Sequence, residues 1–252
     1  MDIENLIKNL PINKITSLAY SFPLEKIYLT PYTAYFHQLL KQKINSYDLG
    51  EIIIPDDLDD LSLVYEKIHQ FLNIYYHYLP KHPLVIIGGN KSTAQVTSSK
   101  FLKYYKSNSA VINIQNKHEQ LITISVNTTT HNNFVISLRE IKVTGTFNVA
   151  NTIIDNLKKM DVQNIYISID SRAIGTSYIN AFNATDPEEF APHELAIILN
   201  NIQNSFHTCG IDYLESSKAI KDLIFNQGNL QSVLLLHGSF LQLLIDSLTV
   251  KT

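Results

Sequence analysis

The sequence predicts a three-layer α/β/α domain with a mostly parallel central sheet, on three observations. Short apolar runs rich in Ile and Val recur along the chain, and one of them, Pro83 to Ile87, is apolar throughout, as in a strand buried on both faces. Amphipathic stretches of helical length alternate with them, the pattern that puts helices on both sides of a parallel sheet. Polar and charged residues gather just after the apolar runs, where such sheets place their sites.

Taken in order, Tyr47 to Pro55 reads as an early strand. The acidic segment Asp56 to Asp60 opens a helix to about Tyr78, since acids suit a helix N-terminus and Leu61, Val64, Ile68, Phe71, Leu72 and Tyr75 recur at helical spacing. Pro83 to Ile87 is a strand closed by Gly88-Gly89, and Ser92 can cap the helix that follows to about Tyr105. Ala110 to Ile114 and Leu121 to Val126 read as strands, His131 to Glu140 as a helix, Ile141 to Phe147 as a strand and Val149 to Lys159 as a helix. Ile165 to Asp170 is a further buried strand, followed by a long loop to Pro192, which starts a helix to about Phe206. Ile211 to Glu215 is the last strand, and two C-terminal helices are expected after it. The first 45 residues carry no assignable pattern. With no internal repeat and no Pro- or Gly/Ser-rich linker, one domain over residues 1–252 is the economical reading.

Composition narrows the function classes. Twenty basic against 23 acidic residues leave a net charge of −3, so no basic face points to nucleic acid. The single cysteine, Cys209, excludes an internal disulfide framework and a cysteine-rich metal site; its place by a buried strand makes it core rather than nucleophile. Met1-Asp2-Ile3-Glu4 lacks a signal-peptide pattern, and Ser232 to Ile245 is too short and too interrupted to span a bilayer. A cytoplasmic protein without membrane contact is the expectation. There is no HExxH spacing and no Ser/His/Asp signature, although His131, His193 and His237 are candidates for general acids.

The strand ends read, in order, Gly88-Gly89-Asn90-Lys91-Ser92, Gln115-Asn116-Lys117-His118-Glu119, Ser168-Ile169-Asp170-Ser171-Arg172 and Asp212-Tyr213-Leu214-Glu215. This order resembles the arginase/agmatinase/formimidoylglutamase (ureohydrolase) family, whose strand ends read G-G-D-H-S, D-A-H-x-D, S-x-D-x-D and E-x-N-P. The likeness runs from about Tyr47 to Asp222, and Asn127 to Phe134 loosely resembles the family's S-S-G-T-P-F segment.

The resemblance implies hydrolysis of a guanidino or formimino carbon by water activated between two manganese ions. It also implies that this chain has lost the site. The six ligand positions fall on Lys91, Gln115, Lys117, Glu119, Asp170 and Arg172. One is an unchanged aspartate, one a lengthened acid, one an amide and three are cations. A protonated lysine or a guanidinium has no lone pair for a metal, and arginine does not deprotonate in proteins. Three cations facing Glu119, Asp170 and Glu215 would balance, so side-chain cations are expected to replace the metals' charge. Otherwise Lys91 and Lys117 are solvated lysines, Asp170 and Arg172 a structural pair holding the long loop, and Glu215 a surface acid. Glu215 and His131 are the candidate ligand-binding residues, but the family's asparagine and proline are Ser217 and Lys218 here, so substrate specificity does not carry over.

Three functions follow as expectations: a pseudoenzyme without cofactor, a metal-independent hydrolase of a guanidino or formimino compound using Glu119 or Asp170 as base, and a purely structural subunit. The first is preferred. Its expected partners are another copy of the chain, an active ureohydrolase in a mixed oligomer, or a small guanidino or amino-acid ligand.

Overall fold

The computed structural model describes residues 15–21, 46–53, 61–79, 82–88, 91–115, 121–127, 133–174, 190–214 and 230–249. Eight strands form one sheet: β1 (Ile15–Ser21), β2 (Ser46–Ile53), β3 (Leu84–Gly88), β4 (Ser109–Gln115), β5 (Leu121–Val126), β6 (Asn133–Ser137), β7 (Asn164–Asp170) and β8 (His207–Leu214), in the order β2-β1-β3-β8-β7-β4-β5-β6. Pairing is parallel from β2 through to β4, and antiparallel only between β4, β5 and β6. The mostly parallel sheet is therefore as expected, with a short antiparallel hairpin on one edge.

Alternate residues of the strands point to opposite faces, and each face builds its own core. On one face, Leu84, Ile86, Val111 and Tyr166 pack beneath helices α1 (Leu61–Tyr78) and α2 (Lys91–Tyr105), which contribute Ile68, Leu72, Tyr75 and Phe101. The Tyr75 hydroxyl donates to the His82 carbonyl at 2.6 Å, tying α1 to the entry of β3. On the other face, Val85, Ile87, Ile112, Ile167 and Ile211 meet the remaining helices. Those are α3 (Leu138–Thr144), α4 (Thr146–Lys159), α5 (Pro192–Ser205) and α6 (Leu230–Thr249). This second core is fed by Ile153 and Leu157 of α4, Leu195 and Ile198 of α5, and Leu241 and Ile245 of α6.

Three sequence expectations are corrected. Residues 133–137 form strand β6, not part of a helix, because Asn133 to Ser137 lie antiparallel along β5 with Ile122 opposite Ile136. Residues 141–147, expected as a strand, are helical instead: 141–144 end helix α3 and 146–147 begin α4, despite the β-branched Ile141, Val143 and Thr144. The Ser137 hydroxyl accepts from the Glu140 N–H at 3.2 Å and caps the turn, while Leu138 and Ile141, three apart, bury one helical face and leave Val143 81% exposed. Gly145, at φ 87°, then ends α3 and starts α4. Strand β1 lies within the first 45 residues, to which the sequence assigns no element, and its apolar content is too short to be read alone. Of the two C-terminal helices expected, the described residues contain α6; the acidic segment Asp56 to Asp60 lies outside them.

Helix α5 starts as expected at Pro192, where the Glu194 carboxylate accepts from the Ala191 N–H at 3.2 Å and meets the Lys142 ammonium at 2.5 Å. Ile174 and Phe190 form a parallel bridge, so the chain leaves β7 and returns to α5 at one point.

Candidate functional site

Because β3, β8, β7 and β4 are parallel neighbours, their carboxyl ends share one edge of the sheet. Gly88, Leu214, Asp170 and Gln115 stand there. β4 and β7 pair in register through Ile114 and Ile169, which sets Gln115 and Asp170 side by side one step further on. Both line a cavity of about 490 Å³ between the sheet and α2. Helix α2 contributes Ala94, Gln95, Ser98, Ser99 and Leu102; β4 adds Val111 and Asn113, β5 adds Thr123 and Ser125, β7 adds Ser168, and Leu214 closes one end.

Asp170 is 5% exposed and Ser168 3%. Lys91 is the first residue of α2 and Arg172 sits in the one-turn 3-10 helix Ser171–Ala173 directly after β7, so the backbone carries Lys91 to the carboxyl end of β3 and Arg172 to that of β7. Lys117, Glu119, Glu215 and His131 lie outside the described residues. His193 is exposed on α5, among the helices of the opposite layer, and does not line the cavity. Cys209 is a buried core residue, as expected, and burial pushes its thiol up to about 12.

The sequence reading passed over a second buried acid. Asp212, fully buried in β8, accepts from the Thr97 hydroxyl at 2.5 Å and from the Tyr166 hydroxyl. Burial raises its carboxyl to about 7, against the two hydroxyl bonds that favour the anion. It thereby clamps α2 to β8 and β7 beside the cavity, since Asp212 is the register partner of Ser168. Gly210, two residues earlier, makes room for this: a Cβ there would lie 2.6 Å from the Tyr166 ring and 2.8 Å from the Leu84 carbonyl. The signal in the sequence is a lone acid inside the apolar run Gly210 to Leu214, which only a pairing partner makes tolerable.

A pair of divalent ions at these strand ends would need several oxygen or imidazole donors. Among the described residues the donors fall short of that: Gln115 offers a neutral amide oxygen and Asp170 one carboxylate, and the chain carries Lys91 just after β3 and Arg172 just after β7. Among the described residues no group of three His, Cys, Asp or Glu side chains converges to hold a metal.

No protein-family model matches the sequence, and no curated protein sequence matches it. Solved structures do. Formimidoylglutamase from Bacillus subtilis superposes with a TM-score of 0.68 at 16% identity, over 96% of this chain and 89% of that one. Arginase from Bacillus cereus gives 0.66 at 11% identity over 94% and 98%. Proclavaminate amidino hydrolase from Streptomyces clavuligerus gives 0.62 at 14% over 96% and 94%. Identities this low establish a shared fold: the chain has the three-layer architecture of the ureohydrolases.

Proposed function

We propose that this chain is a non-catalytic protein on the ureohydrolase fold, without the dinuclear manganese site, acting as a binding or assembly partner. One observation carries the reading. At the strand ends, Gln115 and Asp170 stand in register on one cavity wall, and the flanking backbone positions belong to Lys91 and Arg172. An amide and a single carboxylate, with a lysine and an arginine at two further ligand positions of the resemblance, make a poor set for two divalent ions, because protonated nitrogens offer no lone pair. Without such ions the family's route to hydroxide at neutral pH is lost, since free water has a pKa of about 15.7.

The proposed partners are a second copy of the chain or an active ureohydrolase in a mixed oligomer, and the proposed compartment is the cytoplasm. No helix among the described residues is long and apolar enough to cross a membrane.

The test is metal content and turnover. Purified protein incubated with Mn²⁺ and passed through a desalting column should retain far less than one ion per chain. It should release neither urea nor formamide from arginine, agmatine or formimino-glutamate. Stoichiometric manganese with accompanying hydrolysis would overturn the reading. Hydrolysis by a metal-free preparation would replace it with a metal-independent hydrolase.

A further inference from the structure

The sheet ends on two edge strands of different character. β2, at one end, carries Asp48 and Glu51, and its register with β1 slips between Ser17 and Ala19. Charges and irregular pairing are the usual means by which an exposed edge is kept from pairing with another chain. β6, at the other end, has neither. Asn133-Phe134-Val135-Ile136-Ser137 holds no charge, no proline and no glycine, and its five residues pair with β5 without a shift. Among the described residues, no backbone N–H or carbonyl of Asn133 to Ile136 has a partner on the side away from β5. The same part of the chain gathers exposed apolar surface. Of the five large apolar side chains that the described residues leave exposed, three fall between positions 135 and 147: Val135 at 51%, Val143 at 81% and Phe147 at 62%. Val143 belongs to α3, which packs against both β6 and α4, and Phe147 to the first turn of α4.

What fits this edge follows from its own side chains. Laid antiparallel to itself about Val135, the strand sets Val135 against Val135, Phe134 against Ile136 and Asn133 against Ser137. Every pair is matched: valine with valine, an aromatic ring with a β-branched chain, polar with polar, the combinations that favour cross-strand neighbours. With no charge on the strand, no like charges meet. The backbone matches as well. Its polar groups point alternately to the two sides of a strand, and this register pairs odd positions with odd and even with even. Residues whose groups point away from β5 therefore meet residues whose groups do the same. A two-fold axis perpendicular to the sheet keeps both faces aligned: Val135, opposite Thr123, stays on the cavity side, and Phe134 and Ile136, opposite Ile124 and Ile122, stay on the side of the core shared with α4. Such a contact uses the same patch on both copies and closes at two. An unrelated extended segment meets the same backbone groups without these side-chain matches.

We infer that β6 is an interface at which two copies of the chain join their sheets edge to edge, antiparallel and centred on Val135, into one continuous sheet. The inference gives a surface to the second-copy partner proposed above and rests on that part of the reading; it does not depend on the metal site.

The experiment is sedimentation velocity of the full chain over about 5–200 µM, with a short bismaleimide cross-linker on cysteine variants as its second arm. The weight-average mass should rise with concentration from the 28.7 kDa of one chain toward twice that value. Val135→Lys, which sets two ammonium groups face to face, should weaken association by about tenfold or more at an unchanged melting temperature. Val135→Cys should cross-link to a dimer, because opposite Cβ atoms in an antiparallel pair lie about 5 Å apart. Leu243→Cys, a comparably exposed position on α6, should not. Cys209 is buried and gives no cross-link of its own. Should Val135→Lys fail to fold, the two cysteine variants still decide. A monomer at every concentration would overturn the inference. So would a dimer indifferent to Val135→Lys, one that cross-links through Leu243→Cys and not through Val135→Cys, or association only with an added active ureohydrolase. Manganese and turnover are read on the same samples. A metal-free, inactive monomer therefore fails this inference alone, and a manganese-loaded, active dimer fails the non-catalytic reading alone.

Discussion

Replacing Asp212 by asparagine should abolish a pH dependence of stability that the wild-type fold carries. The carboxyl is fully buried and burial lifts it from the ordinary aspartate range to about 7. Between about pH 4 and pH 7 the folded chain therefore keeps a proton that the unfolded chain has released. Stability is then fully present below the unfolded value, falls as pH rises through about 7, and levels off above it. At 1.36 kcal/mol per pH unit, that interval is worth on the order of 4 kcal/mol. The amide introduced by Asp212→Asn would be neutral throughout. Its carbonyl can accept from the Tyr166 hydroxyl, and its NH₂ group can donate to Thr97, whose hydroxyl already reaches the Ala94 carbonyl at 3.0 Å. Urea unfolding of both proteins at about pH 5, 6.5 and 8 reads the difference, because other titrating groups cancel between them. From about pH 5 to pH 8 the variant should gain on the wild type by roughly 3 kcal/mol, two pH units at 1.36 kcal/mol each. A variant that is equally destabilised at every pH would refute the reasoning, since it would mean that Asp212 is held as an anion by its two hydroxyl bonds.

Three further outcomes are expected. Gly210→Ala should lower stability by about 3 kcal/mol, read from chemical unfolding, because the added methyl meets the Tyr166 ring and the Leu84 carbonyl and neither can retreat cheaply. Cys209 should resist a thiol-directed disulfide reagent in the native protein at about pH 8 and react promptly in denaturant, since burial keeps its thiol protonated; fast native labelling would contradict that. The quadruple variant Lys91→His, Gln115→Asp, Lys117→His, Arg172→Asp should gain manganese on equilibrium dialysis while each single change should not; tight binding by Lys91→His alone would show a site far less decayed than proposed.

The layers were legible because β3, β4, β7 and β8 are apolar runs of strand length between helix-length patterns. Where two periods compete over a few residues, the reading failed. Ile141-Lys142-Val143-Thr144 has strand composition, yet a Ser137 cap and the Leu138/Ile141 spacing make it a helix. Of the strand-end positions singled out in the sequence, Gln115 and Asp170 line one cavity. The cavity wall was present in the sequence and misread. Ile112-Asn113-Ile114-Gln115, Ile122-Thr123-Ile124-Ser125 and Ile167-Ser168-Ile169-Asp170 alternate strictly, and reading them as strands without weighing the alternation, the last as a buried one, left the polar face unnoticed. Asp212 escaped because its partners, Thr97 and Tyr166, lie 115 and 46 residues away.

The place of β8 has a consequence for how the chain assembles. β2, β1 and β3 come from the first third of the sequence and β7, β4, β5 and β6 from the middle, and the two sets of strands meet only through residues 207–214. A nascent chain emerging from the ribosome can pair each set internally long before it can join them. Until β8 arrives, β3 and β7 present unpaired inner edges, the kind of template on which chains stick to one another. Joining the two sets requires β8 to bring Asp212 to Thr97, 115 residues away, a closure over a long stretch of sequence that slows folding. Vectorial synthesis thus delivers the keystone strand late, and a chain released before about residue 214 has two ribbons with nothing to unite their hydrogen bonds.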